Sequence, residues 1–371
     1  MILRTFSYLL LVVVLTLVGG ICWLWWLSPG TTPAFDLKKY PTAIAEINYP
    51  IINGVEQFVL IRGQERTNPL LLLLHGGPGD AQSAQFATYN QALEEEFVVV
   101  NWDQRGAGAS YVESNVLSPE QMVADTHAVT EWLKNRFGRS RIFLLGHSWG
   151  SFIGLRAAHE QPCNYFAYVG IGQVADQGLS EMLSYKWVLK HAVQTKHQAA
   201  IDELVTIGKP NRGWYAGGLD SFYQQRKWVR EFGGAAYGLN NRQTLTKFAY
   251  PLLMFPSYTI GQKLRYLDAE AESMRQLEKP MLDYDLKAIV RDLELPVVIM
   301  QGKYDLQTMT SVTRDYFDAL RAPFKEFIEF QNSGHLVPYE EPEIFHKAMV
   351  EQVLPFVMVE PSDRCNKVVG E

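Results

Sequence analysis

The chain has 371 residues, 47% of them hydrophobic and 20% charged, with a formal net charge of -6. That is enough to bury a substantial core, and the composition excludes a disordered chain or a collagen-like repeat. With 34 Lys+Arg against 40 Asp+Glu it also excludes a basic nucleic-acid binder.

From Phe6 to Leu27 the sequence reads FSYLLLVVVLTLVGGICWLWWL, without a charge. Roughly 20 apolar residues at about 1.5 Å rise span a bilayer core. Trp23, Trp25 and Trp26 suit an interfacial aromatic belt better than a cleavage site. The run predicts an uncleaved transmembrane helix, with a cleaved signal as the alternative. A single-pass membrane protein follows, anchored through residues 6–27 with its catalytic domain on the extracytoplasmic side. The breaker-rich stretch Ser28 to Pro33 reads as a linker.

Beyond it, Ile44 to Ile61 predicts a hairpin turning at Asn53-Gly54. Short, fully apolar runs follow at Leu70–His75, Phe97–Trp102, Arg141–Leu145, Tyr165–Ile171, Pro296–Met300 and Phe324–Phe330. Strands of this kind belong to a parallel sheet covered on both faces. Helical periodicity over Pro119–Phe137, Ser151–His159 and Pro342–Val357 completes an α/β, doubly wound, mostly parallel sheet with an antiparallel start. Between Val174 and Leu295 no strand pattern is visible, which predicts an inserted helical cap. The expected organisation is an anchor or signal with the linker start (1–30), a core in two parts (31–173 and 296–371) and the cap (174–295).

Three cysteines exclude a disulfide framework; Cys163 and Cys365 permit one bridge at most, and none is needed. The eight histidines form neither an HExxH pair nor a Cys/His cluster, so no metal and no cofactor are expected.

Gly146-His147-Ser148-Trp149-Gly150 is a G-x-S-x-G between a predicted strand and a predicted helix. A nucleophile on so sharp a turn needs small neighbours, and the helix N-terminus behind it faces developing negative charge. A serine hydroxyl needs a base, and the base an orienting acid. Asp305 and His335 follow the next predicted strands in the order Ser, Asp, His, at strand C-terminal ends where such sites collect. Asp285 and Asp292 are rival acids, but both precede the strand. Oxyanion donors would be the N–H groups of Trp149 and Gly77, with Gly76 as fallback, since Pro78 has none. His75 reads as structural, Asp103 and Arg105 as tying down a turn, and His147 as packing.

The three motifs HGGPG, DQRGAGAS and GHSWGS together resemble the α/β-hydrolase superfamily, and most closely the proline iminopeptidases. The likeness covers Ile44 to Phe356. It implies Ser148 as nucleophile, Asp305 as acid, His335 as base, and Gly77 with Trp149 as oxyanion hole, beneath a helical cap. Two features depart from that family. His147 stands where those enzymes typically have glycine. Their Trp-x-x-Trp-Glu stretch, near the acids that hold the substrate amine, is here Trp228-Val229-Arg230-Glu231, making Glu231 the amine-binding candidate, ahead of Glu203 and Asp220. The sequence therefore predicts a serine hydrolase cleaving small amides, esters or short peptides through an acyl-enzyme, a carboxylesterase being the alternative and a silent binding protein a more distant one. It leaves the oligomeric state open.

Overall fold

The computed structural model describes residues 25–113 and 116–361, with isolated positions 14, 16, 19, 20, 22 and 365. Its central sheet has eight strands. They are β1 (Ile44–Asn48), β4 (Val59–Gly63), β5 (Leu70–Leu74), β6 (Val98–Trp102), β7 (Ile142–His147), β8 (Tyr165–Ile171), β9 (Val297–Gly302) and β10 (Lys325–Phe330). The short strands β2 (Ile51–Ile52) and β3 (Val55–Glu56) form a separate two-residue ladder around the Asn53-Gly54 turn. Both turn residues have positive φ (47° and 81°), as a two-residue hairpin requires.

Spatial order is β1-β4-β6-β5-β7-β8-β9-β10. The first three strands pair antiparallel, and every pair from β6 to β10 is parallel. The apolar runs are continuous because both faces are covered. Leu70, Leu72 and Leu74 belong to one core cluster and Leu71 and Leu73 to the other, and Val297 and Val298 divide the same way. The helix Pro119–Phe137 has the expected bounds, with Ser118 accepting from Gln121 N and Gly138 at φ 63° closing it. From Gln177 to Ile289 the described named elements are all helices. The closing helix is shorter than its pattern suggested: it runs Pro342–Ala348, then loosens into a π turn and a 3₁₀ turn ending at Met358.

The N-terminal expectation needs correction. Among the described residues no helix is long and apolar enough to cross a membrane. The α/β-hydrolase fold therefore stands without the expected transmembrane helix, and the single-pass localisation is not supported. Most of residues 6–27 lies outside the described residues. At the end of that run Trp25 and Trp26 are helical and exposed, and Leu27 is buried. The chain then docks on the fold: Pro29 bridges Thr259, and Thr31 N–H donates to Pro256 O (3.1 Å). A hydrophobicity pattern alone does not reveal this tertiary attachment. Cys163 and Cys365 do pair, across a sequence separation of 202.

Glycine contacts bring the motifs together at the C-terminal edge of the sheet. A Cβ on Gly150 would lie 2.0 Å from Leu74 O, and one on Gly146 2.4 Å from Gly150 O. The helix Trp149–Glu160 therefore reaches the end of β5 only because both positions lack a side chain. Gly150→Ala should cost several kcal/mol, although an unhindered Gly→Ala exchange inside a helix gains up to about 1 kcal/mol. Gly138→Ala, which has open space but positive φ, should cost about 1 kcal/mol. Urea unfolding of both variants checks the contrast, and equal losses would refute the close-packing account.

Candidate active site

Ser148 joins β7 to the helix Trp149–Glu160 with φ 53° and ψ -120°, a conformation that L side chains rarely adopt. Its N–H donates to Ile171 O (2.9 Å), and its carbonyl accepts from Ser151 N (2.8 Å), so the turn is held on both sides. Ser148 and His335 line one cavity of about 330 Å³, together with Gly77, Asp80, Arg230 and Glu270.

His335 Nδ1–H donates to Asp305 Oδ2 at 2.8 Å, which leaves Nε2 as the ring's proton-accepting atom. Asp305 is fully enclosed and well supplied with donors. Its Oδ2 accepts from Thr308 Oγ1 (2.7 Å) and Gln301 Nε2 (2.8 Å), and its Oδ1 from the N–H groups of Gln307 (2.8 Å) and Thr308 (3.0 Å). Burial pushes its pKa up, but the His335 charge and these hydrogen bonds outweigh burial and hold the carboxyl below its ordinary range. The rival acids are engaged elsewhere: Asp285 caps the helix Leu286–Ile289, and Asp292 pairs with Arg321 at the surface.

Gly77 lines the same cavity, and Trp149 follows the elbow serine directly. Gly77 has φ 110°, and a Cβ there would lie 2.5 Å from the N atoms of Gly79 and Asp80. Gly76 N–H already donates to Gln82 Oε1 (3.3 Å), whereas Gly77 N–H has no acceptor among the described residues. Trp149 N–H, the first of its helix, has none among them either.

His75 is built into the scaffold. It accepts at Nε2 from Gln104 N (3.0 Å), its carbonyl accepts from Gln104 Nε2 (2.9 Å), and Gln104 Oε1 accepts from Trp149 Nε1 (3.0 Å). The chain Trp149–Gln104–His75 thus ties the elbow to the HGGPG loop. Burial lowers His75 to about 4 and His147 to about 3, the His335 charge adding to the second, so both are neutral. His147 Nε2 lies 2.9 Å from the His335 carbonyl, supporting that residue's backbone. Asp103 and Arg105 hold their turn through different partners. Arg105 pairs with Asp125 (2.6 Å), and Asp103 accepts from Ser83 (2.5 Å), Tyr258 (2.5 Å) and Ala109 N (2.9 Å). Burial lifts the Asp103 carboxyl to about 6.

Glu231 is not brought to this cavity. It is exposed, accepts from Asn241 N (3.2 Å) and faces a separate depression beside Trp187 and His191. Glu203 is half-buried and paired with Lys227 (2.8 Å), and Asp220 is exposed near the start of its helix. The acids facing the cavity are Asp80 and Glu270. Asp80 follows directly on HGGPG, and its Oδ1 accepts from Tyr266 Oη (2.8 Å). Burial raises its carboxyl despite that bond. Burial and then the Asp80 charge push Glu270 up to about 7, against the pull of Arg230. The adjacency of Asp80 to the loop was the one signal that could have found it. Glu270 carries none, lying on a cap helix over a hundred residues beyond the elbow. Among the described residues no group of His, Cys, Asp and Glu could hold a metal ion.

The chain resembles known proteins over most of its length. The family described as serine aminopeptidase, S33, matches residues 65–220. A probable aminopeptidase, YbaC, from Bacillus subtilis is 30% identical over 299 residues, covering 79% of this chain and 92% of the relative. The chain belongs to the serine aminopeptidase family of α/β-hydrolases. A proline iminopeptidase from Lactobacillus delbrueckii subsp. lactis is 25% identical over 289 residues, covering 76% of this chain and 88% of that one. The crystal structure of a proline iminopeptidase-related protein from Thermus thermophilus shares the fold. Its TM-score is 0.58 at 19% identity, with 83% of this chain and 96% of that one covered.

The acid's cradle is testable by itself. Thr308→Val removes a donor from the buried Asp305 carboxylate and should lower stability by about 1.5–3 kcal/mol. The urea midpoint reads the loss, and an unchanged midpoint would show the bond contributes nothing net.

Proposed function

We propose that the protein is an aminopeptidase that works through an acyl-enzyme on Ser148. The observation that carries this reading is the His335–Asp305 pair at the wall of the cavity that holds the Ser148 elbow, facing two carboxylates. His335 Nε2 takes the Ser148 proton as Oγ attacks the scissile carbonyl, and Asp305 holds the ring in the tautomer that permits it. The oxyanion meets the N–H groups of Gly77 and Trp149, whose positions are set before substrate arrives. His335 then gives the proton to the leaving amine, and a water activated by the same ring releases the acyl group.

Asp80 and Glu270 would receive the substrate's free amine. Two adjoining carboxylates disfavour each other's ionisation, and a bound ammonium relieves that repulsion, so amine binding and full ionisation of the pair reinforce one another. Unlike Glu231, both lie where the acyl residue must sit if Ser148 is to reach its carbonyl.

Ser148→Ala should abolish fluorophosphonate labelling and lower kcat by several orders of magnitude with the fold intact. Asp305→Asn should be severe and Asp285→Asn mild; comparable losses would displace Asp305 from its role. Wild-type turnover of N-blocked amides or neutral esters equal to that of free-amine amides would instead favour a carboxylesterase.

A pH test isolates the amine site. Glu270, raised to about 7, is charged only above that value, and a peptide α-amine loses its charge above about 8. The ratio of kcat/KM for a free-amine amide to that for a neutral ester cancels the titration of the triad. It should be highest between these limits and fall as pH drops through about 7. In Glu270→Gln the ratio should be at least about tenfold lower at pH 7.5, and the fall below pH 7 should be lost. An unchanged profile would remove Glu270 from amine binding.

A further inference from the structure

Arg230 and Glu270 both face the cavity, and neither is paired. Arg230 lies in the last turn of the helix Gly218–Glu231 and donates its Nε–H to Asn241 Oδ1 (2.6 Å); among the described residues this is its one hydrogen bond. Its two terminal nitrogens keep their N–H groups unused, and no ion pair satisfies it among those residues. Arg226, one helical turn away, is different. It bonds both oxygens of the buried Glu181 and also Gln225 Oε1 (2.8 Å). Arg226 is consumed by the fold, and Arg230 is available. Glu270 feels the Arg230 charge yet stops short of an ion pair, and among the described residues it has no hydrogen bond.

A half-buried guanidinium without an ion-pair partner carries a desolvation cost, and so does a half-buried carboxylate. They persist in one cavity, held apart on separate helices. Once a substrate ammonium occupies Asp80 and Glu270, the positive charge of Arg230 loses its counterweight there. A neutral substrate would then strip water from the guanidinium and return nothing. A substrate with a carboxylate would meet it through the free fork, the strongest geometry an arginine offers. The cavity, about 330 Å³, is of the size that holds a compact ligand.

We propose that the preferred substrate carries a carboxylate as well as its free amine, and that Arg230 is the specificity-determining residue that receives it. The inference rests on the aminopeptidase reading above and deepens it. The carboxylate has two candidate sources. It is either the side chain of an acidic first residue or the C-terminus of a dipeptide, whose leaving group would place it on the far side of the scissile bond.

The test uses wild-type protein and Arg230→Gln with two matched pairs: glutamyl against glutaminyl p-nitroanilide, and Ala-Ala against Ala-Ala-amide. Each pair differs by one carboxylate. Wild type should favour the charged member of one pair at least about tenfold in kcat/KM, and that pair names the source. Arg230→Gln should reduce the preference to less than about threefold, while Arg230→Lys, charged but without the fork, keeps part of it. Ratios within about threefold for both pairs in wild type would overturn the inference and leave the aminopeptidase standing, whether or not the variant folds. A wild-type preference that survives in Arg230→Gln would overturn it too, because another group would then be the receiver. Failure to cleave any of the four free-amine substrates, with p-nitrophenyl esters still turned over, would instead sink the reading beneath it.

Discussion

The close approach of the helix Trp149–Glu160 to the end of β5 is the constraint on which the site depends. Only a residue without a Cβ fits at Gly150 against Leu74 O, and only one without a Cβ fits at Gly146 beneath it. Because the helix starts there, Ser148 must take a positive φ, and Trp149 N–H at the helix start has no acceptor among the described residues. The bonds from Trp149 through Gln104 to His75 then fix the HGGPG loop against the elbow. Strain at one serine, spread over packed glycines and a buried hydrogen-bond chain, is how a sheet edge comes to hold a reacting group in one orientation.

Electrostatics divides the surroundings into two kinds of charge. Some buried charges are fully partnered and serve the fold: Arg62 with Glu94, Arg105 with Asp125, Arg226 with Glu181. Arg230 and Glu270, which face the cavity, have no ion pair among the described residues. Burial pushes carboxyls up there, as at Glu270, while hydrogen bonding and His335 hold Asp305 down. Two carboxylates in one protein are thus set for opposite behaviour by their donors rather than by their residue type.

The substitution of His147 for the glycine usual at that elbow fits the same logic. Its ring is buried and neutral, and it lies 2.9 Å from both Gln82 Oε1 and the His335 carbonyl. It packs between the loop after HGGPG and the loop carrying His335, which are separated in sequence by most of the chain, and its single N–H can donate to one of the two. The other departure from the iminopeptidase pattern lies in the helical segment, where Arg230 and Glu270 face the same cavity.

Local patterns encode local outcomes. Apolar runs bounded by glycine marked the parallel strands, because a strand covered on both faces needs an unbroken apolar sequence. G-x-S-x-G, the residues after β9 and β10, and HGGPG were legible because short-range sterics confine those residue types to those turns. Pairings between distant residues came only from the folded chain. The acids that face the elbow cavity are Asp80 and Glu270, while Glu231 faces another depression, because helix packing, not spacing, selects which side chains reach a cavity. Folding joined Cys163 to Cys365 and gave Asp103 and Arg105 their distant partners, Tyr258 and Asp125. At the N-terminus, an apolar stretch reads alike whether it meets lipid or protein, and the structure supplies only the docking of its end, at Pro29 and Thr259. Periodicity records which residues avoid water; only the folded chain records what they meet instead.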